Sequence, residues 1–156
     1  MAVDHYNAGM NAYAQKRFEE AREWFLHGGD DPRCHYALGV LYGNGEGVER
    51  SFKEAAKWYE KAAEGGIVPA MRAVGFAYAN ALGVPEDFDK AAKFLAPACE
   101  AGDMAACVTL AEIYAMGHGG GSREAAADLI QKAIEAGVGE EAHDIWNRYE
   151  LWRVGV

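Results

Sequence analysis

The sequence ALGVLYGNGEGV at residues 37–48 returns as AVGFAYANALGV at residues 73–84, and TLAEIYAMGHGG at residues 109–120 repeats it more loosely. A small residue (Gly39, Gly75, Ala111) and a tyrosine (Tyr42, Tyr78, Tyr114) recur in register. A period of about 36 residues is typical of stacked supersecondary units, each of which needs its neighbours to bury its apolar face. The repeat therefore predicts a solenoid.

Each unit is predicted to contain two antiparallel helices, a helix A rich in Ala, Gly and Tyr and an amphipathic helix B. In the first clear repeat, Asp31 and Pro32 suit the start of helix A, and the glycine-rich segment 43–47 interrupts the chain after it. Ser51 has capping-box spacing to Glu54 at the start of helix B. The charged side of helix B is most simply a solvated face.

The chain is predicted to form one α-solenoid domain over residues 1–156. It divides into an N-terminal unit (1–30), repeat 1 (31–66), repeat 2 (67–102), repeat 3 (103–137) and a C-terminal helix (138–156). Register places Trp146 where the repeats have Gly39, Gly75 and Ala111, and an indole there would prevent a helix B from packing closely. The last helix is therefore predicted to cap the stack. Its apolar stripe is predicted to contain Ala142, Ile145, Trp146, Tyr149 and Trp152.

Composition excludes several classes of partner. The formal net charge is −9, and nucleic-acid binding draws on a dense Lys and Arg face. No run approaches the roughly 20 apolar residues that span a bilayer. We therefore expect neither a nucleic-acid partner nor membrane insertion. The compartment stays open: the cytoplasm is favoured if the N-terminus is native, and the periplasm or the exterior if a signal peptide was removed.

The segments LGVLYGNGEGV and AAKWYEKAAEGG resemble the Sel-like repeat family, a relative of the tetratricopeptide repeat with a longer glycine-rich loop between its helices. The residues that carry the match are Ala37, Leu38, Gly39, Tyr42, Gly45, Gly47, Val48, Ala55, Trp58, Tyr59, Ala62, Ala63 and Gly65. Residues 1–30 look more like a plain tetratricopeptide unit. The resemblance implies an all-α, right-handed superhelix that serves as a scaffold for protein partners, and none of the matched positions is catalytic in the family.

In tetratricopeptide-like stacks helix A lines the concave face, so the resemblance points to three rows of candidate partner-binding residues. The rows are Tyr6, Tyr36, Arg72 and Val108; Met10, Val40, Phe76 and Glu112; and Tyr13 or Ala14, Asn44, Asn80 and Met116, with Arg33 at the groove edge. Aromatic, Met and Arg side chains are typical of protein-binding surfaces. Alternatively, Tyr6, Tyr36 and Phe76 simply pack between helices. Asn44 and Asn80, one repeat apart, are expected to bracket the backbone of an extended peptide.

The cysteines allow two interpretations. The C-x7-C spacing of Cys99 and Cys107 resembles the disulfide of the cysteine-rich secreted branch of the family. The equivalent positions one junction earlier hold Ala63 and Met71, so a reduced, buried pair fits as well. Cys34 is unpaired in either case. No CxxC or HExxH spacing occurs among the cysteines and histidines, so neither a metal nor a cofactor is predicted.

An enzymatic function has to be weighed because some cysteine-rich members of the family are linked with penicillin binding and beta-lactam hydrolysis. That chemistry uses Ser-x-x-Lys spacing, whereas Ser51 and Ser122 are followed at this distance by Glu54 and Ala125 and look like helix caps. We therefore predict a non-catalytic adaptor, a monomer or weak homodimer, that binds a peptide or protein in the concave groove. The alternatives are an inhibitor or immunity-type protein that blocks a partner enzyme, and a beta-lactam-binding hydrolase.

Overall fold

The computed structural model describes residues 2–155, and every regular element in that range is helical. The elements are α1 (His5–Ala14), α2 (Phe18–Leu26), α3 (Pro32–Asn44), α4 (Phe52–Glu64), α5 (Val68–Ala79), α6 (Phe88–Glu100), α7 (Met104–Ala115), α8 (Arg123–Glu135), α9 (Glu140–Arg148) and a 3-10 helix (Leu151–Arg153). The pairs α1–α2, α3–α4, α5–α6 and α7–α8 each pack together and then pack on the next pair. This is the predicted right-handed solenoid with a capping helix.

Side-chain caps start most of the helices. The hydroxyls of Ser51 and Ser122 each accept a hydrogen bond from the backbone N–H three residues later, at 3.1 Å. The carboxylates of Asp87 and Asp103 do the same at 2.9 and 3.0 Å. Each bond satisfies one N–H that the first helical turn leaves without a partner. Both serines therefore act as the caps that their spacing predicted.

Small residues let the two helices of a repeat approach closely. A Cβ on Gly75 of α5 would lie 2.5 Å from Cγ of Leu95 in α6, and a Cβ on Gly39 would lie 2.5 Å from the Tyr59 ring. Both distances are far below van der Waals contact. In repeat 3, Ala111 occupies the equivalent position and is fully buried. The register of small residues therefore marks the contact between helix A and helix B.

The glycine-rich loops tie each repeat to the preceding unit. Gly83 has a positive φ of 74°, and a Cβ there would lie 2.3 Å from the carbonyl carbon of Phe52 at the start of α4. Gly47 occupies the same position against Phe18 at the start of α2. In the third loop the backbone N–H of Gly119 donates to Asp89 of α6 at 3.2 Å. Glycine is required because a side chain would overlap the backbone of the neighbouring unit.

Three apolar clusters follow one another along the solenoid. Phe25 and Leu41 are buried in the N-terminal cluster, Leu95 in the central one, and Ile130 and Leu151 in the C-terminal one. Each cluster draws side chains from neighbouring helix pairs, so the solenoid has a core that continues from unit to unit.

The C-terminal segment differs from the expected stripe. α9 ends at Arg148, and Glu150 adopts the left-handed conformation with φ 50°. This turn buries Leu151, which is 1% exposed, and leaves Trp152 53% exposed. Ala142 and Ile145 are buried as predicted, but the placement of Trp152 on the same stripe is wrong because the helix stops before reaching it.

Candidate partner-binding face of the A helices

The surface formed by α1, α3, α5, α7 and α9 is called the A face below. Between α1 and α3 it contains an apolar pocket with a volume of about 210 Å³, called the α1–α3 pocket. Its lining residues are Tyr6, Met10, Tyr13, Phe25, Tyr36, Ala37 and Val40. Tyr6, Met10, Tyr36 and Val40 belong to the predicted rows, as does Tyr13 as the alternative to Ala14, and the structure brings all five together around this pocket.

One end of the α1–α3 pocket carries a guanidinium group that is already neutralised. Arg33 lies over the Tyr6 ring, 4.6 Å from its centre. Its Nε and Nη2 donate to Asp31, the latter at 2.7 Å, and its Nη2 lies 3.7 Å from Asp4. The hydrogen bonds from Arg33 hold the pKa of Asp31 below its ordinary value. Arg33 is thus at the groove edge, where it is shared by an aromatic ring and two carboxylates.

The other end of the pocket carries a carboxylate held by neutral groups. The Tyr13 hydroxyl donates to Glu46 at 3.1 Å, and the Asn44 amide donates to the same carboxylate at 2.6 Å. Burial, followed by the hydrogen bond and charge of Glu46, raises the pKa of Tyr13. No ion pair to Glu46 forms within residues 2–155. Glu46 is not in the predicted rows, since only contact between two units brings its loop to Tyr13.

Two further depressions continue along the A face. One lies between α3, α4 and α5, and the other between α5, α7 and α9. Phe76 lines both of them and is 47% exposed. Nearly half of the Phe76 side chain is thus open to solvent, and its predicted role in binding stays a prediction. Arg72 lines the second depression and forms an ion pair with Asp103 at 3.5 Å.

The two asparagines make local hydrogen bonds in this structure. Asn44 is bound to Glu46, as described above, and the Asn80 amide donates to the Phe76 carbonyl of its own helix at 3.0 Å. Both side chains are exposed. A peptide bracketed by them would have to exchange these bonds for its own, so their predicted role stays a prediction.

The last members of the rows have different surroundings. Val108 is buried in the C-terminal cluster together with Ala142 and Ile145 of α9, so its placement on the groove surface is wrong. Glu112 pairs with Arg148 of α9 at 2.9 Å. Met116, beyond the end of α7, is exposed. At this end of the A face, α9 covers the positions that stay open near α1.

Cys99 and Cys107 are joined by a disulfide in the structure, with their Cα atoms 4.7 Å apart. The bond links α6 to α7 and hence repeat 2 to repeat 3. Cys34 is free and buried, and burial raises the pKa of its thiol to about 11. A thiol with so high a pKa is a poor nucleophile at neutral pH.

The serine and threonine hydroxyls have local structural partners. Ser51 and Ser122 cap helices, and the Thr109 hydroxyl donates to the Ala105 carbonyl at 3.1 Å. Within residues 2–155, no group of three or more His, Cys, Asp or Glu side chains is arranged to hold a metal ion. In the same range, every helix is too short or too polar to cross a membrane.

Three stretches of the chain, residues 32–67, 68–103 and 105–138, match the Sel1 repeat. The protein belongs to the Sel1 repeat family. A crystal structure of a Sel1 repeat protein from Oxalobacter formigenes is similar with a TM-score of 0.78 and 26% identity, over 96% of this chain and 61% of that one. The protective antigen c5321 of uropathogenic Escherichia coli, which displays the SLR fold, gives a TM-score of 0.76 and 27% identity over 85% of this chain and 30% of that one.

A 60-residue stretch is also 37% identical to the chitin synthase regulator SKT5 of Saccharomyces cerevisiae, covering 37% of this chain and 9% of that protein. The chain thus spans 61% of the first of these relatives and smaller shares of the other two. Sel1 repeat proteins generally mediate protein–protein interactions, and the family points to a non-catalytic scaffold.

Proposed function

We propose that this Sel1 repeat protein is a non-catalytic adaptor that binds a peptide or protein partner on the A face. The carrying observation is the nearly uncharged character of the part of that face that α1, α3, α5 and α7 form. Only three Asp, Glu, Lys or Arg side chains (Arg33, Arg72 and Glu112) occur in α1, α3, α5 and α7, whereas α4 alone has six. A face depleted of charge and rich in aromatic and Met side chains is typical of the core of a protein interface.

Exposed apolar side chains on the A face support the same proposal. Phe76, Met10 and Met116 are among the large apolar residues that stay more than a third exposed. Removing such surface from water stabilises a complex by roughly 25 cal/mol of free energy for each Å² of apolar surface that a partner covers. Large exposed apolar side chains lining a row of depressions therefore favour an interaction surface over a solvated one.

The proposal is tested by two variants, each of which replaces an exposed apolar side chain by glutamate, one on the A face and one outside it. Phe76→Glu adds a carboxylate to the centre of the A face, and Leu26→Glu adds one to α2, where Leu26 is similarly exposed at 44%. Partners would be captured from a lysate of the native host and quantified by mass spectrometry, with circular dichroism as a check that both variants remain helical. We expect the wild type and Leu26→Glu to retain the same partner and Phe76→Glu to lose it.

The comparison can also contradict the proposal. If all three proteins retain the same partner, the centre of the A face does not bind it, and the charged faces of the B helices become candidates beside the A-face positions nearer α1. A hydrogen-exchange measurement on the captured complex would then locate the surface, because amides in the contact region exchange more slowly when a partner covers them.

A further inference from the structure

We propose that the α1–α3 pocket takes one apolar anchor, an aromatic or large aliphatic side chain, from a peptide segment of the partner that carries a Lys or Arg beside this anchor. The inference rests on the proposed function and adds the chemistry of the bound segment. It also places the strongest contact at the junction of the N-terminal unit and repeat 1.

The dimensions of the pocket suit a single ring. Its volume is about 210 Å³, and an engineered apolar cavity of roughly 150 Å³ binds benzene. The side chains of Met10 and Val40 line it from α1 and α3, and Phe25 lines it from α2. One phenyl or indole ring, or a Leu or Met side chain, fills such a space. Because the walls come from different units, the pocket exists only where two units are stacked.

The polar groups of the lining side chains are the three hydroxyls of Tyr6, Tyr13 and Tyr36. The Tyr13 hydroxyl is bound to Glu46, and the face of the Tyr6 ring is covered by Arg33. A polar side chain entering the pocket would lose its bonds to water and could regain only those that the Tyr6 and Tyr36 hydroxyls offer. This favours an apolar anchor over a polar one.

Charge at the pocket ends favours a basic neighbour. The donors to Glu46 are the neutral Tyr13 and Asn44, so its negative charge is not cancelled by its hydrogen bonds. At the other end, the single positive charge of Arg33 is shared between Asp31 and Asp4. The formal net charge of the chain, −9, adds to this field. A Lys or Arg beside the anchor complements these carboxylates, and an Asp or Glu there is repelled.

The first experiment selects ligands without assuming a partner. A phage-displayed library of random dodecapeptides would be selected on the immobilised wild-type protein. We expect the enriched peptides to share an aromatic or large aliphatic residue with a Lys or Arg one or two positions away. Enrichment of acidic peptides, or of peptides lacking any apolar residue, would overturn the inference.

The second experiment locates the anchor with one synthetic peptide of the enriched sequence. Met10→Glu adds a carboxylate beside the pocket, and Leu26→Glu adds one on α2 outside it; the two residues are 38% and 44% exposed. We expect Met10→Glu to raise Kd about tenfold or more, because the charge must be desolvated when the anchor enters, and Leu26→Glu to change Kd less than about twofold.

The basic neighbour is tested by a double-mutant cycle. Glu46→Gln keeps the hydrogen-bond acceptor and removes the charge. It is expected to weaken binding of the peptide about three- to fivefold, and to leave unchanged the binding of an analogue in which the basic residue is Gln. Equal effects on both peptides would show that Glu46 does not contact the basic residue, which contradicts this part of the inference.

The outcomes separate this inference from the proposed function. If Phe76→Glu abolishes peptide binding and Met10→Glu does not, the anchor assignment is wrong while the A face remains the binding surface. If neither variant changes binding, both proposals fail. Trp152 and Arg153 of a second copy carry the same chemistry, since Trp152 is exposed and lies next to an arginine. Self-association that Trp152→Ser abolishes, with no peptide bound, would overturn the proposal of a separate partner.

Discussion

At the N-terminal end of the A face, Met10 and Val40 line an open pocket, whereas at the C-terminal end Glu112, in the same row, is paired with Arg148 of α9. The adjacent row shows the same contrast, because Tyr6 and Tyr36 reach a pocket and Val108 is buried. Equivalent positions in a repeat protein therefore do not have equivalent roles. Whether a row position is available to a partner depends on the next helix along the A face.

The largest effect is expected from removing the residue that holds the C-terminal cap in place. Leu151→Ala deletes a buried side chain from the C-terminal cluster and should lower the free energy of unfolding by about 3 kcal/mol. The neighbouring Trp152→Ala removes an exposed ring and should cost less than about 0.5 kcal/mol. Urea denaturation would measure both. If Trp152→Ala lowered the free energy of unfolding by more than about 0.5 kcal/mol, the terminal turn at Glu150 would be absent in solution.

A second prediction compares the junction between repeats 1 and 2 with the junction between repeats 2 and 3. In the structure a disulfide crosses the second of these junctions and not the first. Closing so short a loop should stabilise the fold by about 2.5 kcal/mol, so reduction should lower the free energy of unfolding by that amount. The unfolded, unreduced protein should titrate one thiol, that of Cys34. Three thiols would instead identify the reduced, buried pair that the sequence also allowed.

The native protein provides a control for this titration. Cys34 is buried and its pKa is raised to about 11, so few thiolates exist at pH 8 and Cys34 should react with a thiol reagent only after unfolding. Rapid reaction of the native protein would contradict the buried position of Cys34.

A third prediction contrasts repeats 2 and 3 at the contact between helix A and helix B. Gly75→Ala gains about 1 kcal/mol in helix propensity, yet its Cβ would overlap the buried Leu95. The overlap should dominate and give a net loss of about 1–2 kcal/mol. Ala111→Gly, at the equivalent position, should cost about 1 kcal/mol through propensity. Thermal unfolding would compare them, and a stabilising Gly75→Ala would show that α5 and α6 have room to separate.

The smallest effect is expected for the ion pair that joins the cap to α7. Arg148 and Glu112 are both partly exposed, so Arg148→Gln should cost no more than about 0.5 kcal/mol. A double-mutant cycle with Glu112→Gln would isolate the coupling energy. A coupling above about 1 kcal/mol would mean that this pair contributes more to holding the cap than an exposed ion pair ordinarily does.

Most of the fold could be predicted from the sequence because the repeat register determines where the helices begin and where they contact each other. The positions of Gly39 and Gly75, and the caps at Ser51 and Ser122, follow from local spacing and agree with the structure. Register failed at Trp152 because the chain stops following the helical period after Arg148. The repeat period alone does not predict the residue at which the last helix ends.

The candidate site was predictable only in part. Register places Tyr6, Met10, Tyr36 and Val40 on one face, and the structure gathers them around one pocket, while their role in binding stays a prediction. The carboxylate of Glu46 could not be assigned, because it meets Tyr13 through a contact between residues 33 positions apart. Val108 could not be excluded either, because its burial depends on where α9 packs.

The glycine-rich loops give the solenoid a direction. The loops at Gly47 and Gly83 rest on the beginning of the B helix that precedes them in the chain, so each depends on residues already synthesised. A chain emerging from the ribosome with its N-terminus first therefore finds the docking surface for every loop in place before that loop appears. Each unit can add to a finished neighbour in the order in which the chain is made.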